Sequence, residues 1–196
     1  IDLGNGKARL GGSCIAQVYN QIGDISPDVE DFVMFKKAFE TTQELIETRT
    51  ILAGHDRSDG GLAVTLMEMA FAGNCAICVN VPETDGSGDI GTLFSEEAGL
   101  VIEVSEANAD ATIAAYRAAG VPCVEIGTAS PGDSIKVSVG GAEPCIDEKT
   151  TVLRDLWEAT GFQLEHRQRN PECVAQEEAG LKSRKAPEWK LTYTPE

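Results

Sequence analysis

The chain has 196 residues, 42% of them hydrophobic, which suits one domain with an appendage or two small domains. It contains no apolar run of about eighteen residues, so the sequence predicts no membrane span. The formal net charge of −16 disfavours binding to nucleic acid or to an anionic membrane, because phosphate contacts require lysine and arginine. Any anionic ligand must therefore be held locally, by a helix N-terminus, a glycine-rich loop or a metal ion.

The six cysteines lie in apolar, strand-like or helix-like surroundings, where free cysteine behaves as a small hydrophobe. Cys75 and Cys78 form a C-x-x-C pattern inside an apolar strand, but no second pair or histidine follows at zinc spacing. We therefore favour reduced thiols in a cytoplasmic protein over a metal or redox site. The chain begins at Ile1 without a methionine or a signal peptide, from which we expect a piece of a longer protein.

The first predicted elements are two helices that follow a glycine-rich start. Residues 14–23 look helical, and Ser26–Pro27 predicts the start of a second helix, since serine caps a first turn and proline fits inside it. Between residues 29 and 49 apolar side chains recur near helical spacing, which predicts the longest core helix of the chain. These side chains are Phe32, Phe35, Phe39 and Ile46.

Strands and helices alternate after that point. Residues 50–54 predict a short buried strand, and a helix follows from Gly61 to Gly73. Further strands are predicted at 75–81, 100–104, 123–129 and 134–140, with helices at 90–97 and after Ser105. The chain is therefore expected to be α+β, with a mixed sheet of four to six strands and helices packed on it.

The composition changes near residue 143, and the sequence predicts a boundary there. Residues 1–146 are expected to form the domain, and residues 147–196 a helical strap or linker. Within this tail, residues 146–170 and 171–185 predict two helices and residues 186–196 an extended segment. The tail carries too little apolar surface for a core of its own.

A highly charged motif, HDRSDGG at residues 55–61, connects the predicted strand at 50–54 to the next helix. A helix start leaves free N–H groups that, with the helix dipole, favour an anion such as phosphate. Asp56 and Asp59 tolerate a phosphate only if a cation such as Mg²⁺ lies between them, and Ser58 can bind either. The motif therefore predicts one half of a magnesium–nucleotide site.

A purely structural interpretation of the same motif is equally compatible with its spacing. Asp59 can cap the helix that starts at Gly60 or Gly61, and Gly60 can supply an unusual backbone angle. His55 can be a hydrogen-bonded structural histidine, and Arg57 can pair with a neighbouring acid. The spacing alone does not decide between the two interpretations, since the motif is not a Walker sequence.

Two further segments are weaker candidates. Gly11, Gly12 and Ser13 can form a phosphate loop with charge from Lys7 and Arg9, or simply an entry loop in which Ser13 caps a helix. Without a family, the second interpretation is preferred. The adjacent acids Glu96 and Glu97 can share a proton or a metal, but such pairs are more often a solvated helix end, which we favour here.

Three motifs together resemble a known family. They are GHDRSDGGLAVTLMEMAFAGNC, LFSEEAGLVIEV and LRDLWEATGFQLEHRQRNPECVAQEE, in this order. They are similar to large-form phosphoribosylformylglycinamidine synthase, the glutamine-dependent amidotransferase of purine biosynthesis. The resemblance covers essentially the whole chain and implies the second AIR-synthase-like C-terminal domain of the synthetase core, followed by a connection toward a glutaminase domain.

The resemblance implies functions for individual residues. In that family the first Asp of the motif ligates Mg²⁺ and its Ser contacts the nucleotide, which correspond here to Asp56 and Ser58. The expected nucleotide-binding set is His55, Ser58, Asp59, Gly60 and Gly61, with Gly11, Gly12 and Ser13 as a possible phosphate loop. The implied ligands are Mg²⁺ and ATP or ADP, in an auxiliary, structural pocket completed by a sister domain. No catalytic residue is expected in this chain.

The family as a whole converts formylglycinamide ribonucleotide to formylglycinamidine ribonucleotide with ATP and glutamine, so the chain alone is expected to be inactive. Its expected partners are the sister domains and the glutaminase domain of the same polypeptide. Two alternatives stay open. The chain is a packing module that binds no ligand alone, or it belongs to another AIR-synthase-superfamily kinase or synthetase, against which the tail sequence argues.

Overall fold

The structure is a computed structural model that describes residues 1–23, 25–84, 86–183, 190 and 192. The predicted extended segment at 186–196, apart from residues 190 and 192, and the end of the second tail helix at 184–185 lie outside these residues. The helices are α1 Cys14–Val18, α2 Phe32–Glu47, α3 Gly61–Gly73, α4 Gly88–Phe94, α5 Glu106–Ala118, α6 Thr150–Gln168 and α7 Pro171–Gly180, followed by a 3₁₀ turn at Leu181–Ser183. The strands are β1 Ile51–Asp56, β2 Ala76–Val81, β3 Leu100–Val104, β4 Gly127–Ser130, β5 Ile135–Val139 and β6 Ile146–Glu148.

The strands form two separate sheets. The larger one has the order β4-β2-β5-β6, in which β2 and β5 run parallel and the other neighbours antiparallel. This is the predicted mixed sheet. The other two strands, β1 and β3, pair antiparallel as a ribbon of their own, which the sequence did not predict. Strands β1 and β3 lie far apart in the sequence, and their pairing is set by the topology of the fold. The local alternation of side chains does not indicate which strands pair.

The main hydrophobic core lies between the four-stranded sheet and α3. Strand β5 shows the predicted alternation, with Ile135, Val137 and Val139 buried, and they pack with Leu62 and Leu66 of α3. A second, smaller cluster joins α2 to α5 through residues that include Met34, Ala38 and Tyr116. The Tyr116 hydroxyl lies 2.7 Å from the Thr42 hydroxyl, so the polar end of the buried ring is hydrogen-bonded.

Helix α2 differs from its prediction in start, length and burial. It begins at Phe32 because the Asp31 carboxylate accepts hydrogen bonds from the N–H groups of Val33 and Met34, so Ser26–Pro27 is not its start. With 16 residues it is shorter than α6, which has 19. Its predicted core side chains Phe32, Phe35, Phe39 and Ile46 are exposed. Helical spacing identified an apolar face, but not whether anything covers it.

Other boundaries also moved. The strand predicted as buried at 50–54 is β1, most of whose residues are exposed, because β1 belongs to the two-stranded ribbon and not to the core sheet. Helix α1 ends at Val18, and β4 is shorter than the predicted strand at 123–129. In contrast, the bounds predicted for the helix at 61–73 and the strand at 100–104 are confirmed.

The C-terminal helix α6 packs against the domain through polar and aromatic contacts. The Thr150 hydroxyl donates to the carbonyl oxygen of Cys75, and the Arg154 guanidinium donates to the carbonyl oxygen of Phe71 and lies over the Phe71 ring. The Trp157 ring packs against the same Phe71 ring. Helix α6 is therefore attached to α3 although its own sequence is poor in apolar residues.

Among the described residues, no helix combines the length and the apolar character that crossing a membrane requires.

Candidate functional site

The charged motif forms the turn between β1 and α3, as predicted. Strand β1 ends at Asp56 and α3 begins at Gly61, and the buried Thr65 hydroxyl shares its single hydrogen between their carbonyl oxygens, at 3.1 and 3.0 Å. Gly60 and Gly61 have φ of 83° and 67°, in the left-handed region. A Cβ on Gly61 would lie 2.7 Å from the Leu93 carbonyl oxygen, so only glycine fits this turn.

Arg57 has a structural role, as the second interpretation of the motif predicted. Its guanidinium donates to the carbonyl oxygens of Glu97 and Ala98 and to the Asp2 carboxylate at 3.1 Å. Its backbone N–H donates to Gly99. The side chain is only 10% exposed, so it ties the turn to neighbouring segments and is not available to a ligand.

Asp56, Ser58 and Asp59 are exposed on the same turn. The Asp56 side chain is 70% exposed while its backbone carbonyl is held by Thr65, so a fixed backbone presents to solvent a carboxylate whose Oδ1 lies 3.3 Å from His55 Nδ1. Carboxylate and hydroxyl oxygens are the donors that Mg²⁺ prefers. The donor chemistry of the turn therefore fits the predicted metal, and the roles of these residues stay predictions.

His55 is partnered on both ring nitrogens. Nδ1 lies 2.7 Å from the carbonyl oxygen of Asp56, and Nε2 lies 2.9 Å from Oε2 of Glu68 on α3. The side chain is 28% exposed. His55 therefore belongs to the framework of the turn and also borders its surface. Glu68 was not singled out from the sequence, because nothing local distinguishes it from other surface glutamates.

Glu96 occupies the position where the sequence predicted a phosphate. Its Oε1 accepts hydrogen bonds from the backbone N–H groups of Gly60 at 2.9 Å and Cys14 at 2.8 Å, which lie at the starts of α3 and α1. A carboxylate in this place accepts from backbone N–H groups that have no partner within their helices, and its negative charge interacts favourably with the helix dipoles. The preference for a solvated acidic pair at Glu96 and Glu97 was therefore wrong.

Glu97 is completely buried and forms an ion pair with Arg9. Its carboxylate accepts three hydrogen bonds from Arg9, one from the backbone N–H and two from the guanidinium, at 2.6–3.0 Å. The hydrogen bonds that Arg9 donates to this carboxylate, together with the negative charge nearby, raise the pKa of Arg9 above its ordinary value. Arg9 is thereby committed to the core and does not supply charge to a phosphate loop.

The loop Gly11–Ser13 has no free backbone donor for a phosphate. The N–H groups of Gly11, Gly12 and Ser13 donate to the carbonyl oxygens of Ile25, Ile22 and Leu10. Ser13 caps α1, because its hydroxyl accepts from the Ala16 N–H. Lys7, the other predicted cation, pairs with Glu30 at 2.6 Å. The geometry thus supports the structural interpretation of this loop and not the phosphate loop.

Cys14, Asp59 and Glu96 form the group in the described part of the chain whose ligand atoms lie close enough to share a metal, within 4.8 Å of one another. Burial, followed by the hydrogen bond and charge of Glu96, raises the pKa of the Cys14 thiol. A protonated thiol is a poor metal ligand, and Mg²⁺ does not favour sulfur. Asp56, the predicted Mg²⁺ ligand, is not a member of this group.

An open groove of about 540 Å³ runs beside the charged turn. One wall is the end of α2 with Ile46, the other is the ribbon of β1 and β3 with Ile51 and Ile102, and His55 and Asp56 lie at its border. The groove is mostly apolar, which resembles the lining of small-molecule pockets and of packing surfaces alike.

The fold and the turn together define an α+β domain that presents carboxylates at a strand–helix junction. Residues 3–140 match the family model described as AIR synthase related protein, C-terminal domain. The chain therefore belongs to this family, and the fold class expected from the resemblance is confirmed.

Curated relatives extend the similarity to the whole chain. The chain is 48% identical over 195 residues to a protein of Arabidopsis thaliana named probable phosphoribosylformylglycinamidine synthase, chloroplastic/mitochondrial, with 100% of this chain and 14% of that protein covered. It is 43% identical over 197 residues to phosphoribosylformylglycinamidine synthase of Homo sapiens, with 99% and 15% covered. The similarity indicated by the three motifs is confirmed, and the chain spans about one seventh of these relatives.

Solved structures show the same fold at lower identity. The chain resembles Thermotoga maritima PurL complexed with ATP, with a TM-score of 0.58 and 17% identity over 64% of this chain and 22% of that one. The same protein complexed with ADP gives a TM-score of 0.56 at 18% identity, with the same coverage.

Proposed function

We propose that the chain is a domain of the synthetase core of an ATP-dependent, glutamine-dependent amidotransferase. The full enzyme would convert formylglycinamide ribonucleotide to formylglycinamidine ribonucleotide in purine biosynthesis. The observation that carries the proposal is the identity of 43–48% over practically the whole chain to two proteins that bear this enzyme's name. Neither name is that of a kinase or of another synthetase of the superfamily, so that alternative gains no support.

Within this enzyme the charged turn contributes one wall of a magnesium–nucleotide pocket. Asp56 ligates Mg²⁺ through its exposed carboxylate, and Ser58 donates its hydroxyl to the nucleotide. His55 and Asp59 border the same pocket, and Gly60 and Gly61 shape its turn, since their N–H groups donate to Glu96 and Ser58. The exposure of Asp56, Ser58 and Asp59 on a fixed backbone supports this assignment, as does the likeness in fold to Thermotoga maritima PurL complexed with ATP and with ADP.

As the family resemblance implies, the pocket is auxiliary and holds a nucleotide that is not consumed, and its remaining metal ligands belong to a sister domain. No residue of this chain performs a chemical step, and the chain alone is inactive. The predicted boundary after residue 146 falls inside β6, whose Asp147 and Glu148 pair with β5, so the AIR-synthase-like domain extends to residue 148 and the residues after it form a strap toward the glutaminase domain. The packing of α6 on α3 supports a strap more than a free linker. We place the enzyme in the cytoplasm, although the plant relative's name specifies organelles.

The test uses the complete polypeptide that carries this chain and its Asp56→Asn variant. Both are denatured after purification, and the released nucleotide is quantified by chromatography. Asp110→Asn, an exposed carboxylate on α5, is the matched control. Release of ADP or ATP from the parent and the control, but not from Asp56→Asn, supports the metal-binding wall. Equal release from all three proteins would show that Asp56 is not an essential ligand.

A packing module that binds no ligand is the second candidate. The observation that favours it is the group of exposed apolar side chains on α2 and β1, which includes Phe32, Phe39 and Leu52. Exposed apolar area of this kind marks a surface that contacts other protein. Equal nucleotide release in the Asp56→Asn experiment would make this the leading interpretation.

A further inference from the structure

A path of side-chain contacts connects the C-terminal helix α6 to the charged turn. The indole Nε1 of Trp157 donates to Oε1 of Glu68 at 3.1 Å, and Oε2 of the same carboxylate lies 2.9 Å from His55 Nε2. The other ring nitrogen of His55, Nδ1, is hydrogen-bonded to the Asp56 carbonyl oxygen at 2.7 Å and also lies 3.3 Å from Oδ1 of Asp56. Trp157 is thus linked to Asp56 through the side chains of Glu68 and His55. Trp157 and Glu68 are 89 residues apart in the sequence.

We propose that Glu68 is a positioning residue, which fixes the His55 ring and through it the carboxylate of Asp56, with Trp157 as its anchor on α6. The tail of the chain is then coupled to the nucleotide pocket. This inference rests on the proposed function, because it assigns to Glu68 the orientation of a metal ligand.

The carboxylate of Glu68 is suited to this task because its two oxygens hold different partners. Rotation of the carboxylate to improve one contact would lengthen the other, so its orientation is fixed as long as both partners are present. Glu68 and His55 are 27% and 28% exposed, and partial burial makes such charge-assisted contacts stronger than they would be in open solvent.

The effect on Asp56 concerns its carboxylate and not its backbone. The carbonyl oxygen of Asp56 is held by Thr65 as well as by His55, so the backbone keeps its position if the ring moves. The Asp56 carboxylate is 70% exposed, and the His55 ring contacts it through Nδ1. Since Mg²⁺ demands nearly ideal octahedral geometry, a carboxylate without a fixed orientation is a weaker ligand.

Trp157 can be changed without detaching α6. Thr150 and Arg154 hold the helix independently, and a phenylalanine at position 157 keeps the ring contact with Phe71. Trp157→Phe therefore removes the N–H donor alone, whereas Glu68→Ala removes both contacts of the carboxylate. Glu125→Gln, an exposed carboxylate between α5 and β4, is the matched control.

The experiment loads the complete polypeptide with ADP and Mg²⁺ and follows the rate of ADP release into excess unlabelled ADP at several Mg²⁺ concentrations. We expect about tenfold faster release for Glu68→Ala and about threefold for Trp157→Phe, as for lost hydrogen bonds to a charged group. The double variant should release no faster than Glu68→Ala, because both changes interrupt one path. The Mg²⁺ concentration for half-maximal retention should rise in both variants, which a purely structural role would not change.

The outcomes separate this inference from the proposed function. If Asp56→Asn loses ADP while Trp157→Phe and Glu68→Ala retain it like Glu125→Gln, the coupling is wrong and the proposed function stands. Additive effects of the two changes would also overturn the coupling. If Asp56→Asn itself retains ADP, the proposed metal-binding wall at Asp56 fails, and the coupling fails with it. Should Glu68→Ala not fold, Glu68→Gln takes its place, since glutamine keeps the acceptor for Trp157 and lacks the carboxylate charge that holds His55.

Discussion

At the scale of single residues, Glu97 is the buried charge on which the site's framework depends. It is fully buried, its carboxylate holds Arg9, and its carbonyl oxygen holds Arg57, so it joins the N-terminal segment to the charged turn. The adjacent Glu96 connects the starts of α1 and α3. Two neighbouring acids that resemble a surface pair in the sequence therefore fix the position of the candidate site.

We expect Glu97→Ala to lower the free energy of unfolding by about 3 kcal/mol, because breaking a buried ion pair leaves its partner without compensation. The measurement is urea unfolding followed by circular dichroism. The control is Glu30→Ala, which removes the other, largely exposed carboxylate at Arg9 and should cost far less. Equal losses for the two variants would show that burial does not govern this pair.

A comparison of alanine substitutions at Gly61 and Gly6 distinguishes the cost of backbone strain from the cost of steric overlap. Both have left-handed φ, at 67° and 72°, but a Cβ on Gly61 would overlap backbone atoms of Leu93 and Phe94, whereas nothing lies within 4 Å of one on Gly6. We expect Gly6→Ala to cost about 1–2 kcal/mol from strain alone. Gly61→Ala should cost at least about 2 kcal/mol more from overlap. Similar unfolding midpoints in urea would contradict the close packing of the turn on α4.

At the scale of elements, α2 has two different faces. Met34 and Ala38 are buried against α5, while Phe32 and Phe39 are exposed on the other side. This arrangement suits a helix that joins two bodies, with its inner face in this domain and its outer face covered by a sister domain of the proposed enzyme.

We expect Phe39→Gln to change the stability of the 196-residue chain by less than about 0.5 kcal/mol, as for a typical surface substitution. In the complete polypeptide the same change should cost about 2 kcal/mol, because an aromatic side chain would lose its burial. Thermal unfolding of both proteins measures the difference, and Lys37→Gln, exposed on the same helix, is the control. An equally small effect in both proteins would leave the outer face of α2 without a partner.

At the scale of the whole molecule, the free energy of unfolding should decrease as the pH rises in the alkaline range. Burial raises the pKa of the Cys75 and Cys123 thiols above the ordinary value of 9.0, and burial likewise raises the pKa of Tyr116 above 10.0. These groups are neutral when protonated, so as pH rises past 9 the unfolded chain loses its protons first. Their contribution is fully present well below pH 9 and is lost as the pH rises through 9 toward the raised pKa values of the folded chain.

We therefore expect the urea midpoint of unfolding to fall between pH 8 and pH 10.5, under reducing conditions and at constant ionic strength. Cys123→Ala should reduce the size of this fall, because it removes one of the partly buried groups that retain their protons. A midpoint that stays constant or rises over this interval would show that these thiols ionise as readily in the folded chain as in the unfolded one.

By itself, the sequence determined the type and order of the main elements. The helix from Gly61 to Gly73, the strands β2, β3 and β5, and the charged turn between β1 and α3 all follow from side-chain periodicity and glycine positions. These features depend on residues that are close together in the sequence, so they can be recognised from short sequence segments. The resemblance to a family came from long motifs of the same kind.

Only the tertiary structure decided which residues meet. The pairing of β1 with β3, the burial of Glu97 against Arg9 across 88 residues, and the contact of Glu68 with Trp157 across 89 residues have no local signature. The structure also placed Glu96 where a phosphate was expected and left the phenylalanines of α2 exposed. The physical reason is that the burial of a charged side chain and its partners depend on the path of the chain through space. The amino acid type determines only which kind of partner a buried charge requires.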